Sequence, residues 1–276
     1  MALGIILDDP LSEKGTPVAF FIRSVIAAGV ALIGLGAAAR APVDLSRALG
    51  LPAGWQLLSR QGPSTEDPGG NQAPGELHLC ITSDGGQTCR PGLDDLLHRA
   101  GTSSAFDTIH YLEAMRIVRA APDRALLWVQ AASLHGGNGD QLVGRAALRY
   151  DPAGQRFVVV YRRVTGRNNN QDVRFIGTGP LRGAIVSAEP TQDAPFAFWI
   201  TVDRPGLGGR YTPVLRYRSV TRYGDGNGLP VIDSDMPEIL RRLKLWQPGQ
   251  AIPLPDRPCP RPRLINKALW CIPPRS

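Results

Sequence analysis

The chain has no Cys-x-x-Cys, Gly-x-Ser-x-Gly, Ser-x-x-Lys, Gly-x-x-x-x-Gly-Lys-Ser/Thr or His-Glu-x-x-His. Those absences exclude a thioredoxin-type dithiol, a nucleophile-elbow hydrolase, a serine–lysine acyl-enzyme, a P-loop and a zincin centre. "GTGPLRG", residues 177–183, misses the dinucleotide fingerprint by one residue. Its proline and its place between extended segments remove the helix N-terminus that would hold a pyrophosphate. No long repeat is present, since the two short matches "LRYDP" and "LRYRS" do not make a propeller. What remains is a 276-residue chain, 43% hydrophobic and 20% charged, long enough to bury a real core. Its 31 glycines and 25 prolines argue for many turns and against a helical bundle.

Charge is also missing from one place and concentrated in another. "PVAFFIRSVIAAGVALIGLGAAARAP", residues 17–42, has no charge between Val25 and Ala39. With Arg23 snorkelling, the apolar stretch is about 20 residues, enough to cross a bilayer. Residues 17–40 therefore read as a transmembrane signal anchor behind a short cytoplasmic segment 1–16, with cleavage as a signal peptide at Ala37 and Ala39 as the alternative. The arginines on the two sides, Arg23 against Arg40 and Arg47, leave orientation to the cysteines. The formal charge of +7 resides in Arg241–Ser276, where eight basic residues face one acid, and the rest of the chain is neutral overall. Such a basic, proline-rich tail suits an anionic surface such as membrane phosphate or an envelope polymer; the plainer alternative is a solvated tail kept soluble by its charge.

Four cysteines fall as two local pairs, Cys80 with Cys89 and Cys259 with Cys271. An even count behind an export-like segment reads as disulfides formed in an oxidising space. "LHLCITSDGGQTCRPG" places a turn-forming Asp84-Gly85-Gly86 between extended arms, so a hairpin brings the first two sulfurs together. The alternative is zinc on His78, Cys80, Cys89 and His98, whose spacings match no close knuckle. The second pair ties down the tail.

The organisation expected is a linker over 41–76, a β-rich globular domain over 77–250 and a basic, Pro-rich, disulfide-tied tail over 251–276. One helical turn is predicted at Leu45–Leu49 and a two-turn helix in "PGLDDLLHRAG". From Tyr111 to about residue 220, seven or eight apolar, β-branched and aromatic runs alternate with short turns, which specifies antiparallel neighbours. "SDMPEILRRLKLW" then predicts a helix capped by Asp235 and Glu238 that packs on the sheet. The fold class is α+β, mainly antiparallel β: a curved sheet, sandwich or partial barrel with one or two packed helices, preceded by an N-terminal membrane helix.

Two regions are candidate sites. Asp225, Asn227, Asp233 and Asp235, with Glu238, offer oxygen ligands for calcium or a pair of carboxylates for acid–base work. The bland reading is a glycine turn followed by helix caps. Arg162, Arg163 and Arg167, in "YRRVTGRNNNQ" beside Tyr161, offer anion recognition, joined by Arg261 and Arg263 of the tail. His135 with Asp140 and the apolar His110 are weaker candidates. No cofactor is expected beyond that calcium, and no nucleic acid. The function expected is a membrane-tethered periplasmic envelope module, non-enzymatic, binding a partner protein or anionic surface. The alternatives are an exported hydrolase using Asp225–Glu238 and a structural subunit of a membrane complex.

Overall fold

The computed structural model describes residues 41–98, 106–136, 141–167, 171–222 and 224–273. The expected segments 1–16 and 17–40 lie outside the described residues; among those described, no helix is long and apolar enough to cross a membrane.

The first elements are β1 (Val43–Asp44), α1 (Leu45–Leu49), β2 (Gln56–Gln61), β3 (Thr65–Glu66), β4 (Gln72–Ala73) and β5 (Leu77–Thr82). Asp44 caps α1 by accepting from the Ser46 and Arg47 amides at 2.9 and 3.3 Å, and Gly50 ends it in the left-handed conformation at φ 67°. The helical turn predicted here is thus present, but the linker expected over 41–76 is not. Trp55 is 4% exposed and meets Tyr150 and Phe157 edge-on, with ring centroids 5.6 and 5.3 Å away. Leu45 and Leu57 are buried beside it. Three well-spaced apolar anchors hold this stretch to the core, while averaged composition registers only the polar turns between them.

All eight extended runs form strands. β6 (Tyr111–Ala121), β7 (Arg124–Ala132), β8 (Leu142–Asp151) and β9 (Arg156–Gly166) make one antiparallel meander. β10 (Asp172–Phe175), β11 (Ile185–Pro190), β12 (Ala197–Pro205) and β13 (Tyr211–Arg222) make a second. The protein is mainly antiparallel β, in several sheets of which, among the described residues, none closes on itself. Helix α2 (Val231–Arg242) and the hairpin of β14 (Pro262–Ile265) and β15 (Ala268–Cys271) follow. The helix predicted at 91–101 is instead a series of turns as far as residue 98.

Strand alternation divides the apolar side chains among three cores. Leu127, Val129 and Ala131 of β7 face the N-terminal elements with Ala146, Leu148 and the turn residues Leu93, Leu96 and Leu97. Leu126 and Trp128 point the other way, where Tyr161 and Val160 meet Val173 and Ile185 of the second sheet. The far face of that sheet packs Val186, Phe198, Ile200 and Val202 against Val231, Ile232, Ile239 and Leu240 of α2. Both central sheets are covered on both faces, which is why β7 reads as an almost continuous apolar run. Leu127, Leu148 and Phe198 are fully buried, each stabilising by about 1.5–3 kcal/mol.

Gly144 permits the closest approach in the first core. A Cβ there would lie 2.9 Å from Leu96 Cγ, the Leu96 carbonyl oxygen and Leu97 Cδ2. Gly144→Ala is therefore expected to destabilise by about 1–3 kcal/mol through overpacking. Chemical denaturation checks this; an unchanged midpoint would remove the contact as a constraint.

Candidate functional site

Both cysteine pairs are disulfides, Cys80–Cys89 with Cα atoms 4.9 Å apart and Cys259–Cys271 with 5.1 Å. The sulfurs proposed for zinc are thus consumed. Cys80 sits on β5, but its partner lies in a returning loop rather than a second strand, held by single contacts such as the Arg90 amide to the Ile81 carbonyl at 2.7 Å. Asp84 organises that loop: the Thr82 and Thr88 hydroxyls and the Thr88 amide donate to its carboxylate and hold it well below the usual carboxylate range. His78 pairs with Asp94 at 3.2 Å and His98 with Asp107 at 3.8 Å. His110 is buried, its Nδ1 2.8 Å from the Pro74 carbonyl, as its apolar setting implied. His135 is exposed, and Asp140 lies outside the described residues.

The acidic candidates are close in sequence but turn to different partners. Asp225 closes a turn by accepting from the Arg222 and Asn227 amides at 3.1 and 2.8 Å. Asn227 donates to Ser234 Oγ and to the Leu269 carbonyl, fastening β15 to the start of α2. Asp233 takes Arg174 at 2.5 Å and Arg257 at 3.2 Å. Among the described residues no group of three or more His, Cys, Asp and Glu is placed to hold a metal.

The expected capping by Asp235 and Glu238 is also corrected. The helix begins at Val231, so both fall on its inner turns, and both are buried. Apolar Val231 and Ile232 draw that first turn onto the sheet, carrying the following acids inward. Asp235 Oδ1 accepts from the Tyr217 hydroxyl at 3.0 Å, and burial pushes its carboxyl up to about 6, opposed in part by hydrogen bonds from Thr221 and Tyr217. Glu238 goes the other way. Arg241 grips it with two guanidinium nitrogens at 2.6 and 2.7 Å and Arg242 adds a third bond at 2.8 Å, which lowers its pKa despite its burial.

Of the arginines in "YRRVTGR", Arg162 and Arg163 are on β9 rather than in a loop, and Arg167 follows the strand's end at Gly166; strand geometry separates the first two. Arg162 pairs with Asp95 at 3.1 Å and donates to the Asp95 and His98 carbonyls. Arg163, on the opposite face, pairs with Glu189 of β11, and Arg167 pairs with Glu113 of β6. Asn168, Asn169 and Asn170 lie outside the described residues. In the tail, Arg261 donates to the Pro273 carbonyl, whereas Arg263 is exposed on β14.

Two of these arginines nevertheless border one cleft of about 670 Å³. Its lining includes the consecutive residues Val159, Val160, Tyr161, Arg162 and Arg163, with Asp203, Arg210 and Tyr211 opposite. A β-bulge lies in this stretch, where the β8 pairing passes from Leu148–Val159 to Ala147–Tyr161. The extra residue puts Val160 and Tyr161 on the same face, toward the second sheet. Sequence reasoning found Tyr161, Arg162 and Arg163 but missed Asp203, Arg210 and Tyr211. These lie some 40 residues further along the chain and reach the cleft only through sheet stacking; no local signal marks them. No family model, curated protein or solved structure matches the chain.

Asp235 generates a pH prediction. Unfolded, it loses its proton near 3.8; folded, near 6. Below both values it does not affect stability through ionisation. As pH rises from about 4 to 6 only the unfolded state ionises freely, so its contribution falls and then levels off. Asp235→Asn cannot ionise, so its stability relative to the parent is expected to rise by up to about 3 kcal/mol across that window. Denaturation curves at pH 4 and 7.5 test this, and parallel pH dependences for variant and parent would exclude it.

Proposed function

We propose that the chain is a membrane-tethered, exported envelope module that acts by binding and contacts an anionic surface through its C-terminal hairpin. The observation that carries this reading is the hairpin's tip. Asn266 and Lys267 both adopt positive φ, 50° and 73°, in a tight turn between β14 and β15. Leu264 and Ile265, 39% and 40% exposed, stand beside Arg263 and Lys267. Ala268 and Leu269 are buried, the Cys259–Cys271 disulfide closes the loop, and Asn227 clamps β15 from below. The tail is therefore held with two apolar side chains and two cations at one end. Apolar tips enter the headgroup region of a bilayer while cations stay with the phosphates.

Two disulfides suit an oxidising compartment, and the apolar segment at 17–40 supplies the tether in this reading. The hydrolase alternative gains nothing from the carboxylates, because Asp233, Asp235 and Glu238 are each committed to arginine or tyrosine partners.

Residues 41–276, which carry all three cores, are expected to float with vesicles containing phosphatidylglycerol and not with phosphatidylcholine alone. The association should fade at about 0.5 M salt, where charges are screened over a few ångströms. Arg263→Glu with Lys267→Glu is expected to weaken it at least tenfold, since each basic residue near such a surface is worth about 1 kcal/mol and reversal adds repulsion. Binding indifferent to lipid charge would sink the proposal.

A further inference from the structure

We propose that the cleft beside β9 captures a short, extended acidic peptide segment of a partner protein, which pairs with the open edge of β9; this goes beyond the surface contact proposed for the hairpin. The argument begins with which residues line the cleft. Val159 to Arg163 are consecutive, so their side chains divide between the two faces of the sheet. With five successive residues of β9 in its lining, the cavity reaches the strand's backbone edge, and Ala146 of β8 borders it from the sheet face. β9 is the last strand of its sheet, and among the described residues no strand pairs with its outer side.

The slot has two walls. One is the turn segment with Pro91, Gly92, Leu93 and Asp95; the other is Asp203 of β12 with Arg210, Tyr211 and Thr212 where β13 begins. Five residues of β9 span about 13 Å, matching a peptide of similar length. The bulge at Val160 breaks the regular ladder and so keeps the paired stretch short, which disfavours end-to-end association of whole copies through this edge.

Charge and polarity select the occupant. Arg162 and Arg163 are held by Asp95 and Glu189. Arg210 is exposed and has no ion-pair partner among the described residues, so it is the cation left for an incoming carboxylate. Tyr161 and Asp203 are 7% and 5% exposed, and the tyrosine hydroxyl and Asp203 Oδ2 have no hydrogen-bond partner among the described residues. A peptide brings main-chain partners to the strand edge. A saccharide would seek an open aromatic face. Here Trp128 stacks on Tyr161, and the ring of Tyr211 meets Tyr161 edge-on at 5.9 Å.

The test uses the full chain in phosphatidylcholine nanodiscs, where the proposed anionic-surface contact is silent. The probe is a fluorescein-labelled hexapeptide alternating valine and glutamate, followed by anisotropy. Saturable binding is expected, at least tenfold tighter than for the valine–lysine counterpart. It should be lost when alternate peptide amides are N-methylated, and weakened about tenfold by Arg210→Glu, an exposed position whose change leaves the fold intact. No saturation, indifference to N-methylation, unchanged affinity in Arg210→Glu, or displacement by an acidic oligosaccharide more readily than by unlabelled peptide would each overturn it. Arg263→Glu with Lys267→Glu should leave peptide binding unchanged, so failure of the hairpin reading and failure of this one are separable.

Discussion

The fold depends on one constraint: each of the two four-stranded sheets is buried on both faces. A sheet exposed on one side tolerates polar side chains at every second position, whereas β7, β8, β11 and β12 have little such freedom. Leu126 and Leu127 are neighbours in sequence and both are buried, in different cores. A one-residue slip in β7 would exchange Trp128 for Leu127 or Val129 and misfit two packing layers together. The tight approach at Gly144 belongs to the same constraint, because the 93–97 turn has to come down onto the outer face of β8 for that face to be covered.

Double burial also dictates how charge is handled. Arg145 lies within the first sheet, 7% exposed, and donates to Gln130 Oε1 at 3.1 Å and Thr165 Oγ1 at 2.9 Å. Burial lowers its pKa, with the nearby Asp172 opposing the shift. Glu238 is enclosed by two arginines, while Asp235 has tyrosine and threonine instead and shifts in the opposite direction. Two acids three residues apart on one helix thus answer to different neighbours.

Much of the architecture was legible in the sequence because its signals are local. The eight strands from Tyr111 to Arg222 announce themselves by β-branched and aromatic runs cut by turns, and the cysteine pairs by their short spacing. The errors have a common cause. Trp55 sits in a stretch whose composition says linker, yet one indole between Tyr150 and Phe157 outweighs the polar residues around it. Asp235 and Glu238 fit a capping pattern, but packing of Val231 and Ile232 moves the helix start upstream. In the cleft the bulge re-aims Tyr161, and stacking of the sheets brings Asp203 and Arg210 alongside it. Neither event leaves a trace within a window of ten residues.

The C-terminal hairpin has a further consequence. A free tail averages its charge over many orientations, so that at a distance it is felt only as net charge. Fastened through Asn227 and closed by Cys259–Cys271, the hairpin's Arg261, Arg263 and Lys267 become fixed relative to β15 and α2. The molecule then carries a permanent electric dipole, and a charged surface exerts a torque on it before any contact is made. Encounter becomes an oriented event, with the direction of approach selected by the field.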